Sequence, residues 1–246
     1  EFLLANHPLD CPICDQGGMC ELQDVAMGYG RPYSYFNEKK LSTCSENLGP
    51  LIETWMTRCI KCTRCIRACR EAQANDVIGF AFRGKESRIV FDIDDEMGSS
   101  TCVSCGECVQ ACPTGALISK TELVAKKEKI EKTNSVCPYC GVGCLLTFNT
   151  TDNKIFSVTG RDGPSNHGRL CVKGRYGFDY IHHEDRLTSP LIRRSNAKKT
   201  SEILSPDEIN RTFRVGTWDE ALTLASDNLK KLYEEYGSKA LAGLGC

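Results

Sequence analysis

The chain has 246 residues, 41% of them hydrophobic and 8% aromatic, with 17 cysteines and a formal charge of −1. That length holds one to three small domains and excludes a large catalytic barrel with accessories. The lean apolar content requires help beyond burial, which the cysteines can supply.

Nothing points to nucleic acid, and no stretch approaches the roughly 18 apolar residues of a membrane span. Glu1 to Pro8 shows neither the basic region nor the apolar run of a signal peptide. A reducing cytoplasm without disulfides is expected. The chain lacks an initial Met and stops at Leu244-Gly245-Cys246, inside what reads as a buried strand, so a fragment of a longer polypeptide is expected.

The first cysteine group is His7-x3-Cys11-x2-Cys14-x5-Cys20, in which Gly17 and Gly18 let backbone wrap closely. The spacer from Met27 to Glu53 contains Gly28, Gly30 and Pro32, which break any long helix. The second and third groups, Cys59–Cys69 and Cys102–Cys112, both read C-x2-C-x2-C-x3-C and lie 43 residues apart, an internal repeat. Between them Arg88-Ile-Val-Phe-Asp-Ile-Asp alternates like a strand. Lys120 to Lys132 is charged and helix-prone and reads as a linker.

The fourth group, Cys137, Cys140, Cys144 and Cys171, has the spacing C-x2-C-x3-C-x26-C. Arg186-Leu-Thr-Ser-Pro-Leu-Ile leads into a polar loop through Asn210. Thr217-Trp-Asp-Glu220 makes a capping box in which Thr217 accepts from the Glu220 N–H and Glu220 reaches back. A helix follows, with Ala221, Leu222, Ala225, Leu229, Leu232 and Tyr236 at helical spacing and Gly237 ending it. Lys239-Ala-Leu-Ala-Gly-Leu reads as a buried strand opening an α/β domain.

The repeat is the strongest chemical signal. In such a motif three cysteines surround one cubane and the fourth is aimed at the neighbouring one. One cluster would take Cys59, Cys62, Cys65 and Cys112, and its neighbour Cys102, Cys105, Cys108 and Cys69. Pro113 follows Cys112 as the bacterial ferredoxin pattern expects, whereas Arg70 stands at the matching place in the first half. Paired zinc sites are the competing reading, but they usually use two separated C-x2-C pairs. Arg58, Lys61, Arg64, Arg67 and Arg70 form either a solvated basic face or compensation for cluster charge. His167, His182 and His183 have no ligand-like spacing and read as loop residues.

The first group, through Glu-Leu-Gln-Asp24, resembles the His-ligated cluster segment of three protein types. These are the large iron–sulfur subunit of NADH dehydrogenase, iron-only hydrogenases and NAD-linked formate dehydrogenases. The resemblance implies a [4Fe–4S] cluster on His7, Cys11, Cys14 and Cys20, with zinc on three Cys and one His as its rival.

Cys137-Pro-Tyr-Cys-Gly-Val-Gly-Cys with Cys171-Val-Lys-Gly-Arg resembles the N-terminal cluster domain of molybdenum or tungsten bis-pterin oxidoreductases. It implies a cluster on Cys137, Cys140, Cys144 and Cys171. Lys173 matches the family lysine between cluster and pterin, an electron relay; the plain alternative is a surface lysine. Four cubanes need sixteen ligands, which His7 and fifteen cysteines supply, leaving Cys44 and Cys246 as buried or free thiols. Three all-Cys clusters and one with a neutral His add about −7 to the charge, giving about −8.

The stretch Leu48-Gly-Pro-Leu-Ile-Glu-Thr-Trp-Met-Thr-Arg-Cys is also similar to the NADH dehydrogenase large subunit, which typically lacks the complete second ferredoxin motif. The combination resembles the catalytic subunit of a soluble or NAD(P)-linked formate dehydrogenase. This implies oxidation of formate to CO2 at a molybdenum or tungsten bis-pterin guanine dinucleotide carried by the full-length protein. Electrons would leave through four [4Fe–4S] clusters to a flavin- and NAD(P)-binding or other electron-accepting iron–sulfur subunit. The catalytic metal ligand would lie beyond Cys246. No Gly-rich dinucleotide motif is present, so nicotinamide would bind on another subunit. A large iron–sulfur subunit of NADH-quinone oxidoreductase and a non-catalytic polyferredoxin are the alternatives.

The expected architecture is α+β, a string of small iron–sulfur domains leading into a truncated α/β domain. Its segments are a His-ligated cluster segment at 1–54, a dicluster ferredoxin-like domain at 55–120 and a linker at 121–134. A bis-pterin-type cluster domain at 135–190 and the start of the catalytic domain at 191–246 complete it.

Overall fold

The computed structural model describes residues 1–40, 42, 49–123 and 129–243. It divides into two units, Glu1–His182 and His183–Cys246.

The first unit opens with a 3-10 turn, Leu3–Ala5, whose last carbonyls accept from Lys40 Nζ at 2.7 and 2.9 Å. A second turn, Cys11–Ile13, leads to helix α1, Glu21–Tyr29. Gly30 ends α1: a Cβ there would stand 3.1 Å from the Ala26 carbonyl carbon.

Strand β1, Ile52–Thr54, pairs antiparallel with β4, Leu117–Ser119, in the register Ile52↔Ser119. The sequence reading leaves β1 in the first segment, but this pairing closes the ends of the ferredoxin-like segment on each other. Between these strands lie helix α2 (Arg64–Arg67), strands β2 (Ile78–Ala81) and β3 (Arg88–Phe91), and helix α3 (Glu107–Ala111). β2 and β3 form an antiparallel hairpin, and β3 covers the alternating stretch expected to be a strand. Ile52, Ile66, Ile78, Phe91 and Leu117 pack in one core with Cys65, Cys69 and Cys108.

The repeat is visible in the backbone. Lys61 and Thr63 have φ of +55° and +63°, and Ser104 and Gly106, 43 residues later, have +52° and +76°. After that the halves diverge at the Arg70/Pro113 difference. A residue before proline avoids the α region, so α3 stops at Cys112 in extended geometry. Arg70 imposes no such stop, and α2 runs on into a π-turn, Ala68–Ala72, that contains Cys69.

Helix α4, Lys120–Leu123, fills the start of the expected linker. Its end is strand instead: Glu131 and Lys132 open β5, Glu131–Val136, because Thr133 and Ser135 face partners across the sheet. β5 pairs with β6 (Leu145–Thr151), and β6 with β7 (Lys154–Gly160), in an antiparallel meander. Asp152 and Asn153, at φ +48° and +59°, make the two-residue turn between them. Helix α5, Val172–Tyr176, packs near this sheet, where Leu146, Val158, Leu170, Phe178 and Cys137 form a second core.

In the second unit β8 (Leu191–Arg193) pairs antiparallel with β9 (Phe213–Val215). The expected polar loop contains a helix, α6 (Pro206–Thr212), which starts with a Ser205–Glu208 capping box and Pro206 at its first position. Helix α7, Trp218–Tyr236, has its expected cap: Thr217 Oγ1 accepts from the Glu220 N–H at 3.2 Å. Glu220 does not reach back but accepts from Arg214 Nη1 at 3.0 Å. The apolar stripe of α7 is exposed at Leu222, Leu229, Leu232 and Tyr236. Ser238–Ala240 form an exposed 3-10 turn rather than the start of a buried strand. Cys44 and Cys246 lie outside the described residues.

Candidate metal centres

The thiols gather in sets. Burial first, and then Cys59, Cys112 and Cys62, push the Cys65 thiol up to about 12. Cys59 is raised first by burial and then by Cys112 and Cys62. These four side chains line one nearly apolar pocket with Met56, Ile89 and Leu117.

A second set surrounds Cys108. Burial raises this thiol well above the ordinary range, reinforced by Cys105, Cys65, Cys102 and Cys69. Cys102 feels Cys69 in turn. Cys112 therefore stands with the Cys59 triplet, and Cys69 with the Cys102 triplet. Cys65 and Cys108, both in the first core, bring the two sets side by side.

Positive-φ residues aim backbone donors at sulfur. Lys61 N–H donates to Cys59 Sγ at 3.4 Å, and Ser104 N–H donates to Cys102 Sγ at 3.4 Å. Val77 N–H does the same for Cys69 Sγ at 3.4 Å. Hydrogen bonds of this kind to sulfur are among the factors that set cluster potentials.

In the N-terminal segment His7, Cys11 and Cys20 line one pocket. Cys14, raised by burial, senses Arg58, Asp10 and Cys20. Gly17 is needed here because a Cβ would stand 2.9 Å from Cys11 O and 3.0 Å from Cys14 O; Gly18 has φ +80°. Burial lowers the His7 pKa, favouring the neutral imidazole, and its Nδ1 is buried without a hydrogen-bond partner among the described residues. This segment sits on the loop after Cys112: Cys20 Sγ is 3.6 Å from Pro113 O, and a Cβ on Gly115 would meet Cys14 Sγ at 2.9 Å.

The fourth set is Cys137, Cys140, Cys144 and Cys171. Burial raises Cys144, followed by the other three thiols. Cys171 caps α5, and Lys173, the second residue of that helix, is exposed.

Arg58 separates from the other basic residues near the second group. Its side chain is 4% exposed and its Nη2 lies 2.8 Å from Asp10 Oδ2, so it ties the N-terminal segment to the ferredoxin body. Arg64 and Arg70 are exposed and paired with Glu21 and Asp76; Lys61 and Arg67 are exposed as well. His167, with φ +46°, is a loop residue. His182 ends a 3-10 turn and accepts from Ile155 N–H at 3.1 Å, and His183 follows it. Sequence reasoning missed Arg175, which is 5% exposed and donates through Nε to Cys105 O at 2.8 Å. Its position four residues after Cys171 was the available signal.

Among the described residues no three His, Cys, Asp or Glu side chains converge on a single-ion site. The donor sets instead suit iron–sulfur clusters: thiols in fours, N–H groups directed at sulfur, and an orphaned ring nitrogen on His7. No helix among the described residues is long and apolar enough to cross a membrane.

Comparison with known proteins matches three segments of the chain. Residues 1–34 match the NADH-ubiquinone oxidoreductase-G iron-sulfur binding region. Residues 49–118 match the ferredoxin-like domain of NADH-quinone oxidoreductase subunit 3, and residues 130–183 the molybdopterin oxidoreductase Fe4S4 domain. A G-type NADH-quinone oxidoreductase subunit of Rhizobium meliloti is 40% identical over 79% of this chain and 23% of its own length. NADPH-Fe(3+) oxidoreductase subunit alpha of Geobacter sulfurreducens is 34% identical over 100% of the chain and 26% of its own length. A Staphylococcus aureus protein named "Putative formate dehydrogenase" is 30% identical over 98% of the chain and 27% of its own length. The chain thus spans about a quarter of the length of these relatives. Three segments of the chain thus match iron–sulfur-binding domains of the kinds found in molybdopterin oxidoreductases and NADH-quinone oxidoreductase.

Proposed function

We propose that this chain is the electron-conducting part of a molybdenum or tungsten bis-pterin formate dehydrogenase. The observation that carries the conduit is the crossing of Cys112 and Cys69 into each other's triplet. In this reading His7, Cys11, Cys14 and Cys20 hold the first cluster. Cys59, Cys62, Cys65 and Cys112 hold the second, and Cys102, Cys105, Cys108 and Cys69 the third. Cys137, Cys140, Cys144 and Cys171 hold the fourth. A [4Fe–4S] cluster bound at each set supplies one-electron transfer at a potential tuned by ligands, burial and hydrogen bonds.

The chain's own residues order the sets. Arg58 and Asp10 hold the first against the second, Cys65 and Cys108 bring the second against the third, and Arg175 faces the third from α5. Lys173 is the relay toward the pterin carried by the longer protein. Its place on the turn after Cys171 supports this role. The exposed stripe of α7 supports reading residues 191–246 as the opening of a larger catalytic domain. Formate and CO2 are then the substrate pair, and a flavin- and NAD(P)-binding or other iron–sulfur subunit in the cytoplasm takes the electrons.

The second reading is the large iron–sulfur subunit of an NADH-quinone oxidoreductase, favoured by the matches over residues 1–34 and 49–118. Chemical analysis separates the outcomes. The anaerobic chain should hold about 16 iron and 16 acid-labile sulfide, as four Fe4S4 units require. Stoichiometric zinc with little sulfide would sink the cluster assignment. Pterin with molybdenum or tungsten in the full-length protein, and cluster reduction by formate, support the first reading; NADH-driven reduction without pterin supports the second.

A further inference from the structure

We propose that Arg175 is a positioning residue that couples the centre on Cys137, Cys140, Cys144 and Cys171 to the centre on Cys69, Cys102, Cys105 and Cys108. The inference rests on the iron–sulfur reading above and adds to it a residue outside the ligand sets.

The geometry is a bridge between two prospective ligands. Arg175 N–H donates to Cys171 O at 3.1 Å, inside α5. At the far end of the same residue Nε donates to Cys105 O at 2.8 Å. One side chain and two hydrogen bonds therefore join the carbonyls of ligand residues in neighbouring sets.

The remaining guanidinium donors are used on the same junction. Nη1 donates to Gln110 Oε1 at 2.9 Å, and Nη2 donates to Glu107 Oε1. Glu107 precedes Cys108, and its Oε1 also accepts from Leu170 N–H at 3.4 Å, the residue before Cys171. Gln110 fixes the other side, accepting from Gly160 N–H at 3.1 Å and donating to Gly168 O at 3.0 Å. Arginine suits this place because its planar fork serves three acceptors at once, which a lysine point charge does not. Gly106 makes the room: a Cβ there would meet the Arg175 side chain.

This junction is buried, and that gives the residue an electrical role. The Arg175 and Glu107 side chains are 6% and 8% exposed, so neither charge is well screened. An electron crossing the junction leaves one centre oxidised and its neighbour reduced by a single charge. Arg175 keeps its proton throughout, since a guanidinium does not deprotonate in proteins. A cation beside the receiving centre stabilises its reduced form, and an anion destabilises it.

EPR-monitored redox titration of the cluster-loaded chain tests this, with the signal lost in Cys102→Ser marking the centre to follow. Arg175→Gln should shift that centre to lower potential and Glu107→Gln to higher potential, while iron and sulfide stay at the wild-type content. A merely structural pair predicts no such opposed signs. Shifts of one sign, or none, overturn the proposal. Arg175→Gln leaves Glu107 without its cation; should that variant not assemble, Glu107→Gln decides alone, and anything but an upward shift refutes the coupling. A wild-type chain short of about 16 iron refutes the conduit reading itself, a result distinct from failure of the coupling.

Discussion

Removal of Asp10 probes the junction between the first thiol set and the second. Arg58 Nε and Nη2 both donate to Asp10 Oδ2, at 2.9 and 2.8 Å. The Arg58 guanidinium also lies 4.5 Å from the centre of the Trp55 ring, and its Nη1 has no partner among the described residues. Asp10→Ala leaves the buried Arg58 guanidinium without its carboxylate partner. Breaking a buried ion pair from one side costs about 3–5 kcal/mol. Asp10 is 25% exposed, so water screens part of the pair and the lower figure of about 3 kcal/mol applies.

Asp10→Asn keeps an oxygen acceptor and loses the charge assistance, about 1 kcal/mol. At about 1.4 kcal/mol per tenfold, the alanine variant should open the N-terminal segment about 150-fold more often, and the asparagine variant about fivefold. Native-state hydrogen exchange reads this directly. The Asp24 amide, bonded to Cys20 O at 3.0 Å, should exchange faster by those factors, while amides of β6 stay unchanged. An unmoved Asp24 amide, or equal acceleration in β6, would refute the reasoning.

Two further substitutions probe the ferredoxin-like body. Cys112→Ser should damage the cluster of Cys59, Cys62 and Cys65 and spare that of the nearer Cys102 triplet; EPR showing loss confined to the latter would remove the crossed ligation. Gly106→Ala should destabilise by about 3 kcal/mol in denaturant unfolding, combining overpacking with a left-handed backbone. Its Cβ would fall 2.6 Å from Tyr176 Oη and 2.7 Å from Arg175 Nε at φ +76°. Gly28→Ala, inside α1 with open space around it, should instead stabilise by about 0.5–1 kcal/mol. Equal effects of the two would show that the Gly106 contact is unimportant.

Much of the site was legible because cluster motifs are local. A run of C-x2-C-x2-C places three sulfurs within seven residues, and the positive-φ residues that aim N–H groups at them fall inside the same runs. The Thr217 cap was legible for the same reason, being made within three residues. Helix α6 has an equally local cap at Ser205, but its polar composition reads as loop. The expected strand from Lys239 failed because an apolar alternation requires a partner strand to become a strand, and Ser238–Ala240 close on themselves in a 3-10 turn.

The sequence alone laid out the spacing of the thiol groups, their internal repeat and their order along the chain. It did so because ligand spacing is a property of neighbouring residues. Only the tertiary structure distinguished Arg58 from the exposed basic residues around it, and Arg175 from an ordinary residue after a cysteine. Their partners Asp10 and Glu107 lie 48 and 68 residues away. No periodicity links residues at such separations; the folded chain brings them together, and burial turns a common surface charge into a junction between prospective metal centres.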